Sequence, residues 1–196
     1  MIAILDYGAG NLASVVKAIR HLGRECVVTD DADIVSGAEK LIVPGVGNFA
    51  ATLPLSDGAL GAAVRSAITN QTPVLGICLG LQWMFEGSEE ASTLRGIGIF
   101  PGECTRFSDQ VKSPHVGWNR IAIDPRSRLL RDIPSDSYVY FTHSYWAPLC
   151  QDTVATCVYD APFTAAAENG NVFGVQFHPE KSGDIGMKIL ENFCAL

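Results

Sequence analysis

Four short apolar runs, at residues 2–6, 25–29, 40–43 and 73–78, alternate with turns and helical patterns through the first part of this 196-residue chain. Each run is bounded by Gly, Pro or Asp, as strands are. Between the first two, Leu12, Val15, Val16, Ile19 and Leu22 fall on one helical face. Asn11 stands where an N-cap belongs, and Gly23 where a helix stops. A second helix is predicted over about residues 58–70, and a third directly after Cys78. Strands joined by helical crossovers build a parallel sheet with helices on both faces.

Beyond about Gly96 the pattern changes. Strand-like runs follow one another at residues 98–100, 103–107, 120–123, 137–144, 153–159 and 171–177, with turn residues between them. Such spacing suits antiparallel strands at an edge or in a second layer. A closing helix over residues 186–193 carries Ile189, Leu190 and Phe193 on its apolar face. The expected fold is α/β: a mostly parallel central sheet with flanking helices, and antiparallel strands in the C-terminal half. With no repeat or linker-like stretch, residues 1–196 read as one domain.

Charge and composition exclude several functions. A net charge of −7 with no basic run disfavours nucleic acid. No stretch reaches the ~20 apolar residues that cross a bilayer, so a cytoplasmic protein is expected. The six cysteines are scattered, without a C-x-x-C pair. Free cysteines in such a setting are ordinarily small buried hydrophobes, so any reactive one must be marked out by its surroundings.

Cys78 is so marked. The run from Pro73 enters it as a strand, a helix starts at Leu79, and Gly76 and Gly80 flank it at two residues on either side. This is the cysteine form of the strand–turn–helix nucleophile elbow. A sharp turn projects the thiol, the glycines admit neighbouring backbone, and the helix N-terminus favours a thiolate and a developing oxyanion. The plainer alternative is a buried strand and a glycine turn, with Cys78 as filler.

One hundred residues on, Val175-Gln176-Phe177-His178-Pro179-Glu180 ends another strand-like run. In extended backbone, His178 and Glu180 share a face, and Pro179 biases His178 toward that conformation. Glu180 could then hold the imidazole in one tautomer while His178 serves Cys78 as base and the leaving amine as acid. The plain alternative is a surface His and Glu. His21, His115 and His143 form no ligand-spaced pair with His178, so no metal is expected. A rival reading comes from Gly8-Ala9-Gly10-Asn11-Leu12-Ala13. This G-x-G-x-x-A follows a strand and opens a helix, and Asp30 ends the next strand, as in dinucleotide-binding modules. That rival leaves the elbow and His-Pro-Glu unexplained.

On these residues the sequence resembles the class I (triad) glutamine amidotransferases, flavodoxin-like α/β proteins, over essentially its whole length. Further matching stretches are Asp6-Tyr7-Gly8-Ala9-Gly10-Asn11, Pro44-Gly45-Val46-Gly47, Pro114-His115-Val116-Gly117-Trp118-Asn119, Tyr140-Phe141-Thr142-His143-Ser144-Tyr145 and Glu180-Lys181-Ser182. The stretches beginning at Pro44, Pro114 and Glu180 make the likeness narrower, to members that feed a (βα)₈-barrel cyclase in histidine biosynthesis. A glutaminase serving another synthase shares the elbow and His-Pro-Glu. The resemblance implies glutamine as substrate, a heterodimeric cyclase partner and no cofactor. It implies Cys78 as nucleophile, His178 as base and Glu180 as orienting carboxylate, with the backbone N–H groups of Val46 and Leu79 as oxyanion hole. Gly45, Gln82, Glu90, Ser144 and Tyr145 would bind glutamine, and Asn11, Trp118, Tyr140 and Lys181 would face the partner. Leu81, Trp83 and Val116 depart from the residues more usual there.

Overall fold

The computed structural model describes residues 1–196. Its strands are β1 (Ile2–Leu5), β2 (Cys26–Thr29), β3 (Lys40–Gly45), β4 (Val74–Cys78), β5 (Gly87–Ser88), β6 (Glu103–Arg106), β7 (His115–Arg120), β8 (Ala122–Ile123), β9 (Tyr138–His143), β10 (Tyr145–Trp146), β11 (Thr153–Val158), β12 (Pro162–Asn169) and β13 (Val172–Val175). The helices are α1 (Leu12–His21), α2 (Ala32–Ser36), α3 (Leu53–Asp57), α4 (Ala59–Thr69), α5 (Leu79–Met84) and α6 (Gly183–Ala195).

Eight strands form the central sheet in the order β2-β1-β3-β4-β13-β12-β11-β8. From β2 to β13 the pairings are parallel; from β13 to β8 they are antiparallel. The parallel strands are apolar on both faces because helices cover both. Ile2 and Ile4 point into a core shared with Val15 and Ile19 of α1 and Leu190 and Phe193 of α6. Ala3 and Leu5, one residue out of phase, join Val64 of α4 and Trp83 of α5 on the other side. Two smaller sheets, β10-β6-β5 and the β7–β9 pair, bring loops over the C-terminal end of β4.

Several expectations need correcting. Residues 98–100 form no strand: Gly98 takes φ +71°, and the N–H groups of Ile99 and Phe100 bond to the Met84 carbonyl at the end of α5. The run at 120–123 is broken at Ile121, which turns into the core, so Arg120 ends β7 and Ala122 starts β8. β12 was not expected, nor was most of β7. Asn11 does not cap α1. Its backbone (φ −91°, ψ 71°) lies outside the extended region of a working N-cap, and its side chain makes no capping bond. Gly23 does end that helix, at φ +70°. α6 begins three residues earlier than expected, at Gly183.

Candidate active site

β4, in the middle of the sheet, ends at Cys78 in a backbone conformation that L-residues rarely adopt, φ 54° and ψ −103°. Such strain persists only where the surroundings over-determine it. Here two glycines allow it. A Cβ on Gly76 would stand 2.7 Å from the Gly80 carbonyl group, and a Cβ on Gly80 would overlap the Val43 carbonyl oxygen of β3. The elbow therefore closes only with glycine at both places. Leu79, the first residue of α5, has an N–H with no partner inside its helix.

The thiol is buried between two contacts that the sequence did not disclose. Gln176 Nε2 points at Cys78 Sγ from 3.7 Å, and the Thr142 carbonyl oxygen lies 3.8 Å away. Both arrive through long-range pairing, from the end of β13 and from β9.

His178 Nδ1 and Glu180 Oε1 are 2.7 Å apart, and both side chains are only 2% exposed. The contact is made, but by a different route from the one expected. β13 stops at Val175, and Pro179–Lys181 form a 3-10 turn that swings Glu180 back to the ring. The backbone of His178 is held by Tyr140, whose carbonyl accepts its N–H at 2.9 Å, and by Ser182 Oγ, which donates to its carbonyl at 2.6 Å. Burial alone would lower the His178 pKa. The charge of nearby Cys78 and the bond to Glu180 outweigh it and raise the imidazole to about 10. The site thus favours the protonated imidazolium form of His178.

A cavity of about 260 Å³ opens over Cys78. Leu79, Gln82, Glu90, Ser144 and Tyr145 line it, as do Gly47, Thr142 and His143. Gln82 is tied down on the protein side, donating to the Tyr145 carbonyl at 2.7 Å and to Gln176 Oε1 at 3.2 Å. Glu90 accepts from the Phe49 N–H at 2.7 Å, and its partial burial raises the carboxyl's pKa. Gly45 sits behind the wall, paired in register with Cys78, with the Tyr7 hydroxyl and Leu79 against its Cα. Val46 follows it at the same edge, half-buried, and Gly47 turns at φ +109°.

The residues expected to meet a partner lie together outside this cavity. Trp118 is 54% exposed and packs edge-on against Tyr140 across the β7–β9 pair, ring centroids 6.0 Å apart. Exposed Val116 and Tyr138 extend the patch. Asn11 is exposed at the start of α1, which packs against the 3-10 turn bearing Lys181.

The glycines of the dinucleotide-like motif have local explanations. The Gly8 N–H is taken by Asp6 Oδ1 at 3.1 Å, and Gly10 backs onto Gly45 and Pro44. Asp30 lines a separate hollow with Asp6 and Gly8, where two carboxylates would repel a pyrophosphate. No group of three His, Cys, Asp or Glu side chains is close enough to hold a metal ion.

Comparison with known proteins agrees with this geometry. The family model for class I glutamine amidotransferases matches residues 3–196. The imidazole glycerol phosphate synthase subunit HisH of Geobacillus kaustophilus is 44% identical, with all of this chain and 97% of the relative covered. That of Thermococcus kodakarensis is also 44% identical, with both chains covered completely. Among solved structures, a glutamine amidotransferase superposes with a TM-score of 0.76 at 16% identity, covering 98% of each chain, a likeness of fold.

Proposed function

The chain belongs to the class I glutamine amidotransferases, and on that premise we propose that it is the glutamine-hydrolysing subunit of an imidazole glycerol phosphate synthase. The observation that carries the chemistry is the strained Cys78 at a helix N-terminus, lining a cavity, with a buried His178 that is held by Glu180 and feels the charge of Cys78. The full-length likeness to HisH subunits carries the choice of synthase.

Cys78 Sγ attacks the side-chain carboxamide carbon of glutamine, and His178 carries the thiol proton to the departing ammonia. Water, activated by the same imidazole, then releases glutamate from the thioester. Glu180 keeps His178 in the tautomer that presents Nε2 to the reaction; that nitrogen is buried and without a partner within the chain. The N–H groups of Leu79 and Val46 receive the oxyanion. Gly45 lets β3 pack against α5 beside them. Gln82 holds the far wall, Glu90 suits the α-ammonium of glutamine, and backbone at Ser144 and Tyr145 suits its α-carboxylate.

Ammonia passes to a (βα)₈-barrel cyclase subunit, which forms imidazole glycerol phosphate and an aminoimidazole-carboxamide ribotide. Trp118 and Tyr140 form the apolar centre of the contact, flanked by Asn11 and Lys181. Tyr140 also holds the His178 backbone, so the partner's surface and the triad share one strand. No helix of the structure is long and apolar enough to cross a membrane, and a reducing cytoplasm keeps a nucleophilic thiol free. An electrophilic glutamine analogue tests the site. Mass spectrometry should find it on the Cys78 peptide alone; label spread over several of the cysteines would oppose the reading.

A further inference from the structure

His115 and His143 have no part in the triad, yet they are buried and opposed in register across the β7–β9 pair. His143 Nδ1 lies 2.8 Å from the Tyr145 carbonyl oxygen. A carbonyl only accepts, so Nδ1 carries the proton. Burial lowers the His143 pKa to about 3, leaving Nε2 a bare acceptor. His115 Nδ1, 3.2 Å from that nitrogen, must then be protonated and donate to it. Burial lowers His115 to about 4, so its own Nε2 accepts from Asn119 Nδ2 at 3.4 Å. The Asn119 amide is oriented independently: its oxygen accepts the Arg120 N–H at 2.8 Å, and Nδ2 also donates to the Val158 carbonyl at 3.1 Å. Only one pair of tautomers satisfies all these bonds.

The relay ends at the cavity wall. The Tyr145 carbonyl accepts from His143 and from Gln82, and the preceding Ser144 carbonyl accepts the Phe107 N–H at 3.1 Å. Two successive carbonyls are thereby each taken up by a protein donor. A free carbonyl there would face the substrate's carboxylate with like polarity.

We propose that His143, locked in one tautomer by His115, is a positioning residue that holds the 144–145 segment in shape for the amino-acid end of glutamine. The proposal rests on the reading of this cavity as the glutamine site. A purely structural histidine pair would affect stability and turnover without singling out substrate affinity. A positioning pair shows its loss in KM.

The test measures glutamate release by the complex with the cyclase subunit. His143→Asn keeps an N–H donor near the Nδ1 position, His143→Gln moves it to the Nε2 position, and His143→Phe keeps only the ring. KM for glutamine should rise about tenfold, the loss of one hydrogen bond, in the Gln and Phe variants. The Asn variant should recover most of it, with smaller changes in kcat throughout. Unchanged KM in all three, or an Asn variant no better than Phe, overturns the proposal. Should a variant fail to fold, the native protein still decides. Long-range ¹H–¹⁵N spectra should show Nδ1–H on both His115 and His143, and Nε2–H or imidazolium on either near neutral pH overturns the lock. Turnover that survives Cys78→Ala removes the glutamine site itself; turnover that needs Cys78 but ignores His143 removes only the positioning role.

Discussion

Exchanging Glu180 for Gln keeps the shape of the side chain and an oxygen near His178 Nδ1, and removes the charge. The pair is 2.7 Å apart with both side chains 2% exposed, so water screens little of what is lost. A hydrogen bond to a charged group contributes about 1.5–3 kcal/mol, which converts to about 10- to 150-fold in kcat/KM. Glu180 forms no covalent bond, so Glu180→Gln should keep a measurable glutaminase activity, about 1–10% of wild type on that scale, while Cys78→Ala keeps none. The pH dependence of stability supplies a second reading. Glu180 is among the causes that raise the His178 pKa from 6.5 to about 10. The stability this gives is fully present below pH 6.5 and lost as pH rises through about 10. The wild-type advantage over Glu180→Gln should therefore be largest in mild acid and shrink toward pH 10. Glutamate release and denaturant unfolding across this range provide both tests. Inactivation as complete as that of Cys78→Ala in a folded protein, or a stability gap that widens with pH, would refute the reasoning.

Gly80→Ala places a methyl group on the Val43 carbonyl oxygen, so β3 and α5 must part. We expect a loss of about 3 kcal/mol or more in stability and no turnover; a Tm within two degrees of wild type would contradict the packing account. Trp118→Ala should weaken cyclase binding by about 30-fold, as loss of an aromatic hot spot does, with the Tm of the isolated chain unchanged; unchanged affinity by calorimetry would move the interface elsewhere. The glycines around Val46 let that peptide turn its carbonyl or its N–H to the oxyanion, and one donor is worth about 10²–10³ in turnover. Glutamate release should rise by about 10² from the isolated chain to the complex loaded with a cyclase substrate analogue, and equal turnover in both would mean a permanently formed hole.

The parallel half of the fold was legible because β1, β3 and β4 are buried almost throughout and turn residues bound each strand. β7 and β12 were not. His115–Arg120 is an exposed-face strand with Gly, Trp and Asn in it, and Pro162–Asn169 is rich in Ala, which favours no strand by itself. Both are fixed by their neighbours, β9 on one side and β11 with β13 on the other. Cys78 was legible because an elbow is a local arrangement. The contact between His178 and Glu180 was expected for partly the wrong reason, since a 3-10 turn rather than an extended strand brings them together. The contacts of Thr142 and Gln176 with Cys78, and between His115 and His143, were not legible in the sequence. They depend on strand register over separations of 28 to 98 residues.

The central claim is that this chain makes ammonia and does nothing else to the product. It is tested by Cys78→Ala in the complex with the cyclase subunit, driven in turn by glutamine and by ammonium salts. The account predicts no synthesis from glutamine and undiminished synthesis from ammonium. Synthesis from glutamine that persists, or synthesis from ammonium that is lost in an intact complex, would contradict it.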